Sequence, residues 1–117
     1  VSDLLRRQML FTRLLPRLID RAHYLGFGVT LGELYRPDET VELYALQGRG
    51  SLGSLHPLRL AVDLHLFRHE MDRMIYLTKT EHHRPLGEWW ERLDPRCRWG
   101  GRFGDGNHYS LEWEGRR

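Results

Sequence analysis

Residue types that bind divalent metals recur in two separated stretches, Ser54-Leu-His56-Pro-Leu-Arg59-Leu-Ala61-Val-Asp63 and Asp105-Gly-Asn-His108. His56, Asp63 and His108 supply two imidazoles and a carboxylate that can meet around one ion. Zinc accepts nitrogen and carboxylate ligands at about 2.0–2.2 Å, and a catalytic zinc keeps one position open beside three protein ligands. Two neutral histidines and one aspartate leave such a complex with a net positive charge, so the ion stays a Lewis acid and acidifies water. Asp105, three residues before His108, is placed to act as the general base. The inventory is that of a metal-dependent hydrolase.

Taken singly, each ligand candidate has a plainer role open to it. His56 can cap a turn, Asp63 can hold a loop or pair with Arg59, and His108 can be an imidazole at the edge of the core. Asp105 can order an Asx-type turn. His65 lies two residues beyond Asp63, on the same face of any strand, and is an alternative to His56 as a ligand or a donor to a metal-bound group. Arg36, just before Pro37, offers a planar guanidinium for a substrate carboxylate or a developing oxyanion; its plainer role is a surface ion pair. Ser54 and Ser51 are candidates to bind substrate or fix their loop, and no Gly-x-Ser-x-Gly elbow makes Ser54 a nucleophile. His82 and His83 read as members of a polar turn. There is no His-Glu-x-x-His zinc helix.

The elements that must position these groups follow from hydrophobic spacing. Residues 3–25 read as one amphipathic helix, with Leu4, Leu5, Phe11, Leu14, Leu15, Leu18, Ala22 and Leu25 at helical spacing. Ser2 caps its start and Gly26 stops it; its arginines line the wet face. A strand is expected over 27–32, and a short helix begins at Pro37, places Val41, Tyr44 and Ala45 toward the core and ends at Gly48. Residues 48–55 form a glycine- and serine-rich loop. The clearest strand runs from Leu60 to Phe67, with Leu60, Val62, Leu64 and Leu66 on one face and Ala61, Asp63, His65 and Phe67 on the other. Residues 68–82 suggest a turn and a short strand, Pro85 to Leu93 a helix whose Trp89 and Trp90 pack on the sheet, and 108–113 a final strand. That strand turns Tyr109, Leu111 and Trp113 one way and His108, Ser110 and Glu112 the other. Helices flanking a small antiparallel sheet make an α+β domain.

The chain has 117 residues, a formal net charge of +2 and a pI near 9.0, which leads us to expect one domain spanning 1–117. The basic excess is too dilute and unclustered for nucleic-acid binding, and no apolar run is long enough to span a membrane. No secretory signal opens the sequence. Cys97 has no partner for an internal disulfide; flanking arginines could activate it, but a buried thiol beside Trp99 is the expected state. Gly115-Arg-Arg117 reads as a small solvated basic tail.

On these residues the chain resembles the zinc peptidases of the D-alanyl-D-alanine carboxypeptidase and L-alanyl-D-glutamate endopeptidase superfamily. The family motif is Ser-x-His-x-x-Gly-x-Ala-x-Asp, matched by Ser54, His56, Ala61 and Asp63. Its later segment, a carboxylate, two residues and a histidine, is matched by Asp105 and His108. The run from Trp99 to His108 is similar to the endolysin branch. The resemblance implies a hedgehog/DD-peptidase-like fold and Zn2+ bound by His56, Asp63 and His108. It implies Asp105 as base, Arg36 as the substrate or transition-state arginine, and bacterial peptidoglycan stem peptide as substrate. Ser54, Arg59 and His65 are the further candidates for substrate contact. The bond expected to be cut is L-Ala–D-Glu; the alternatives are D-alanyl-D-alanine carboxypeptidase or dipeptidase activity, and a non-catalytic, metal-stabilised wall-binding module. The protein would be a monomer made in the bacterial cytoplasm, phage-encoded or not, and would act on the wall after release. One departure stands out: Arg59 occupies the place of the family glycine.

Overall fold

The computed structural model describes residues 2–39, 43, 46–47 and 53–117. It is an α+β fold in which a small antiparallel sheet is flanked by helices. The order is α1 (Asp3–Tyr24), β1 (Gly28–Leu31), a 3-10 turn (His56–Leu58), β2 (Ala61–Glu70), β3 (Arg73–Leu77), α2 (Thr80–Leu93), β4 (Cys97–Trp99), a second 3-10 turn (Gly100–Phe103) and β5 (His108–Leu111). The sheet runs β1-β2-β5-β4, with β3 paired to the distal half of β2. Asp38, Glu39, Leu43 and Leu46 are helical; Val41, Tyr44, Ala45, Gly48 and Ser51, on which the expected short helix and part of the loop depended, lie outside the described residues. No helix among the described residues is long and apolar enough to cross a membrane.

Helix α1 starts where Ser2 Oγ accepts the Leu5 N–H at 3.1 Å, and the chain leaves it through Gly26 at φ 91°. Phe11, Leu14, Leu18 and Ala22 form its buried stripe. Leu5 and Leu25, expected in the core, are exposed at the stripe's edge. The helix also passes through Pro16, on its exposed face, forgoing one backbone hydrogen bond. Not all its arginines face water. Arg7 donates to the Glu112 carbonyl and stacks over Trp113. Arg21 is sandwiched between Tyr24 and Trp89. Gln8 donates to the Leu58 carbonyl at 2.8 Å, so α1 grips the turn that carries His56.

Strand β2 is the central element. Leu60, Val62, Leu64 and Leu66 are fully buried, worth roughly 2 kcal/mol each. A one-residue slip would exchange its faces, so this row fixes the register. Asp63 is thereby set directly opposite His108, with Val62 opposite Tyr109 and Ala61 opposite Ser110. All four β5 residues are buried; the strand ends at Leu111, not at Trp113, because the chain turns back to bridge Trp113 with Arg116.

Helix α2 begins five residues before the expected Pro85. Lys79 N–H donates to His82 Nδ1 at 3.1 Å, which caps the first turn, and the helix then continues past Pro85. Trp90 packs into the core and donates to the Ser110 carbonyl at 3.1 Å, as expected of it. Trp89 instead meets Arg21 of α1. His83 is not in a polar turn. It is buried on α2, its Nδ1 2.7 Å from the Tyr109 hydroxyl.

Burial pushes the His83 imidazole down to about 4, with His82 and His65 adding repulsion to its charged form. The unfolded chain, with its histidine near 6.5, then binds more protons than the fold between these two values. Stability must therefore be full above the unfolded value and fall as pH drops toward the folded one, by up to about 3 kcal/mol. Urea unfolding in chelator at pH near 7 and near 4.5 should show this loss, and His83→Gln should flatten it. An equally steep loss in the variant would assign the acid sensitivity to other groups.

Candidate metal centre

Three elements bring the candidate metal-binding side chains together. His56 opens the 3-10 turn, whose end at Arg59 adopts a left-handed conformation, φ 58° and ψ 37°, before the chain enters β2. Ser54 Oγ accepts the His56 N–H at 3.2 Å and braces the same turn. Asp63 lies on β2, held on its far side by β1-proximal backbone: its N–H donates to the Glu33 carbonyl at 2.8 Å. His108 opens β5 across from it. The result is a buried His56/Asp63/His108 cluster able to chelate a metal ion, with one ligand atom from each residue lying within 4.8 Å of the others.

The chemistry of the cluster suits a divalent ion. Asp63 Oδ1 is 3.4 Å from His56 Nε2 and 3.4 Å from His108 Nδ1, yet it is buried without an aligned hydrogen bond to either. A tetrahedral centre with arms of about 2.1 Å places neighbouring ligand atoms about 3.4 Å apart. The His56 ring is oriented by its other nitrogen, Nδ1, 3.0 Å from the Leu34 carbonyl. That carbonyl can only accept, so Nδ1 carries the proton and Nε2 turns a lone pair to the cluster. Burial alone would raise the Asp63 carboxyl, but the His108 and His56 imidazoles, in their protonated, metal-free forms, hold it well below the usual carboxylate range. The site therefore keeps its anionic ligand ionised.

The cluster opens onto a cleft of about 450 Å³ lined by Arg36, Ser54, Phe103, Asp105 and the Gly115–Arg117 segment. Asp105 lies on the turn between the second 3-10 segment and β5. Its N–H donates to the Gly100 carbonyl at 2.9 Å, and its own carbonyl accepts from His108 N–H at 3.1 Å. Gly100 has to be glycine, because a Cβ there would fall 2.2 Å from that Asp105 carbonyl oxygen. Trp99 secures the turn from beneath by donating to the Gly106 carbonyl at 2.7 Å. Asn107 orders the turn through its backbone, its carbonyl accepting from Leu64 N–H at 2.9 Å. One side of Asp105 is open to the cleft, but partial burial pushes its carboxyl above the ordinary range; His108 opposes that and the Asp63 carboxylate adds to it.

The remaining candidates divide. Arg36 reaches the cleft and is held there by Glu33, its Nε 2.8 Å from the carboxylate, so the surface ion pair and the cleft position coexist. His65 shares the Asp63 face of β2, but its Nδ1 is engaged 2.9 Å from the Tyr76 hydroxyl, outside the three-residue cluster. Arg59 stacks on Tyr35, 4.3 Å from the ring centroid. Cys97 is buried on β4, its thiol pushed up to about 12 by burial, so its flanking arginines do not activate it. In the Gly115–Arg117 segment Gly115 and Arg117 are exposed, as expected of a solvated tail, but Arg116 is tied down. Arg116 donates to the Gly53 and Ser54 carbonyls at 3.1 and 2.7 Å, closing one side of the cleft. No motif flagged this; only a return of the chain at Glu114-Gly115, both at positive φ, brings the arginines back. The chain matches no protein-family model and no curated protein.

Proposed function

We propose that this chain is a single zinc peptidase domain of hedgehog/DD-peptidase-like fold that hydrolyses stem peptides of bacterial peptidoglycan, with the L-Ala–D-Glu bond as its target. The observation that carries the reading is the convergence of two imidazoles and one carboxylate, with 3.4 Å spacings, at the floor of an open cleft that also holds Asp105 and Arg36. The left-handed backbone at Arg59 adds support. Glycine adopts that conformation freely, whereas another residue carries a cost of about 1–2 kcal/mol, which accounts for glycine at this place in the peptidase motif. Stacking on Tyr35 offsets part of that cost here.

His56, Asp63 and His108 would hold the ion. When bound, zinc supplies Lewis acidity toward a carbonyl and toward water. Asp105 takes the proton of the attacking water and returns it to the leaving amine. Arg36, anchored by Glu33, directs its guanidinium to the oxyanion of the tetrahedral intermediate or to a substrate carboxylate. Ser54 acts through the loop it braces. His65 and Arg59, if they meet substrate, do so from the periphery.

The test is product mass. Zinc-loaded protein incubated with defined stem peptides should release fragments with a new amino end at D-Glu, lose this activity in chelator and regain it with zinc. Free D-alanine would instead identify a carboxypeptidase or dipeptidase. Zinc binding with no new amino ends would sink the peptidase reading and leave a wall-binding module.

A further inference from the structure

Among the described residues, three guanidinium groups, Arg36, Arg116 and Arg117, line the cleft beside two side-chain carboxylates, Asp63 and Asp105. One of those carboxylates belongs to the metal cluster, and a divalent ion there would more than neutralise it. The Arg36 charge is shared with Glu33. On the opposite side, the Trp113–Arg116 bridge closes a tight turn through Glu114 at φ 49° and Gly115 at φ 78°, the two positive angles of a type I′ hairpin. Arg116 spends its fork on the Gly53 and Ser54 carbonyls and so positions the strap. Arg117 follows it, held over Phe103 at 5.5 Å from the ring centroid. Phe103 in turn lies 6.0 Å from the His108 ring. Arg117 has no carboxylate partner among the described residues.

Resting on the peptidase reading for the use of the cleft, we propose that Arg117 is a recognition residue that selects peptides bearing a free carboxylate, with Arg116 as its positioning residue. A guanidinium offers a carboxylate two parallel N–H donors, and the cation-lined wall concentrates anionic ligands at the metal cluster. A neutral amide of the same shape gains neither.

The experiment is equilibrium binding to zinc-loaded Asp105→Asn protein, which preserves the probes, using a stem peptide with free carboxylates and the same peptide amidated. The carboxylate form should bind about 10-fold tighter. Arg117→Gln should reduce this preference to less than about 2-fold, while Arg17→Gln, on the exposed face of α1, should leave it intact as the control for net charge. Matching circular dichroism and thermal midpoints would show that both variants fold. No preference in the parent, or a preference that survives Arg117→Gln, overturns the inference. The peptidase reading is judged separately by cleavage. Cleavage without an Arg117-dependent preference removes only this inference, and the preference without cleavage removes only the peptidase.

Discussion

On the proposed three-ligand zinc centre, Asp63→Asn should remove most of the zinc-dependent stabilisation. Asp63 Oδ1 is the atom shared by both imidazoles, 3.4 Å from each, and it brings the only negative charge in the cluster. An asparagine keeps the shape and removes the charge, leaving two neutral nitrogens and a weak carbonyl donor. Loss of an outer-shell partner alone costs about 10–100-fold in metal affinity, so removing a direct ligand should cost at least about 100-fold. Zinc at a thousand times its Kd stabilises the parent by about 4 kcal/mol, or roughly 15 °C in a domain of this size. Thermal unfolding with zinc and with chelator measures the difference. The parent should show the full rise and Asp63→Asn no more than about a third of it, since the same zinc concentration is then at most about ten times the variant's Kd. In chelator near neutral pH the variant should be less stable than the parent, because the fold favours the ionised Asp63 carboxylate over its neutral form, so each protein's zinc response is measured from its own chelator value. An undiminished zinc response in Asp63→Asn would refute the three-ligand centre.

The second large effect belongs to Asp105, and its sign differs. On the peptidase reading, Asp105→Asn should keep the full zinc-dependent rise in stability while turnover of wall peptide falls by about 100-fold or more. Asp105 lies outside the ligand cluster but on its rim, and its backbone, not its carboxylate, forms the turn through Gly100 and His108. An isosteric amide therefore leaves the turn and the metal untouched and removes only the proton acceptor. Zinc titration followed by melting, together with rates on a defined stem peptide, separates binding from chemistry. Parent-level turnover in a zinc-loaded Asp105→Asn protein would remove the base assignment. Loss of the zinc response would instead move Asp105 into the ligand set.

These two results probe what was readable at different levels. The alternation along β2 placed Leu60, Val62, Leu64 and Leu66 on one face and Asp63 and His65 on the other before any pairing was known, because a strand's side-chain period is set by its backbone. The α1 stripe was readable for the same reason, with error only at its margins, where Leu5 and Leu25 are solvent-facing. Pro85 reads as a helix start, whereas the local cap at Lys79 and His82 begins α2 earlier. In the sequence His83 is one of two adjacent polar residues and reads as part of a polar turn. Its burial depends on Tyr109, twenty-six positions away, and no local pattern carries that contact.

By itself the sequence determined α1, the alternation along β2 and the set of residue types able to hold a metal, since these depend on short-range backbone geometry and side-chain chemistry; β4 and the 3-10 turns carry no such local signal. Only the tertiary structure decided that Asp63 faces His108, that His56 rather than His65 completes the cluster, and that Arg116 and Arg117 wall the cleft. Strand register, the ring orientation imposed by the Leu34 carbonyl and the reversal at Glu114-Gly115 are long-range outcomes. They are chosen by which arrangement buries the most apolar surface while leaving the fewest polar groups unpaired.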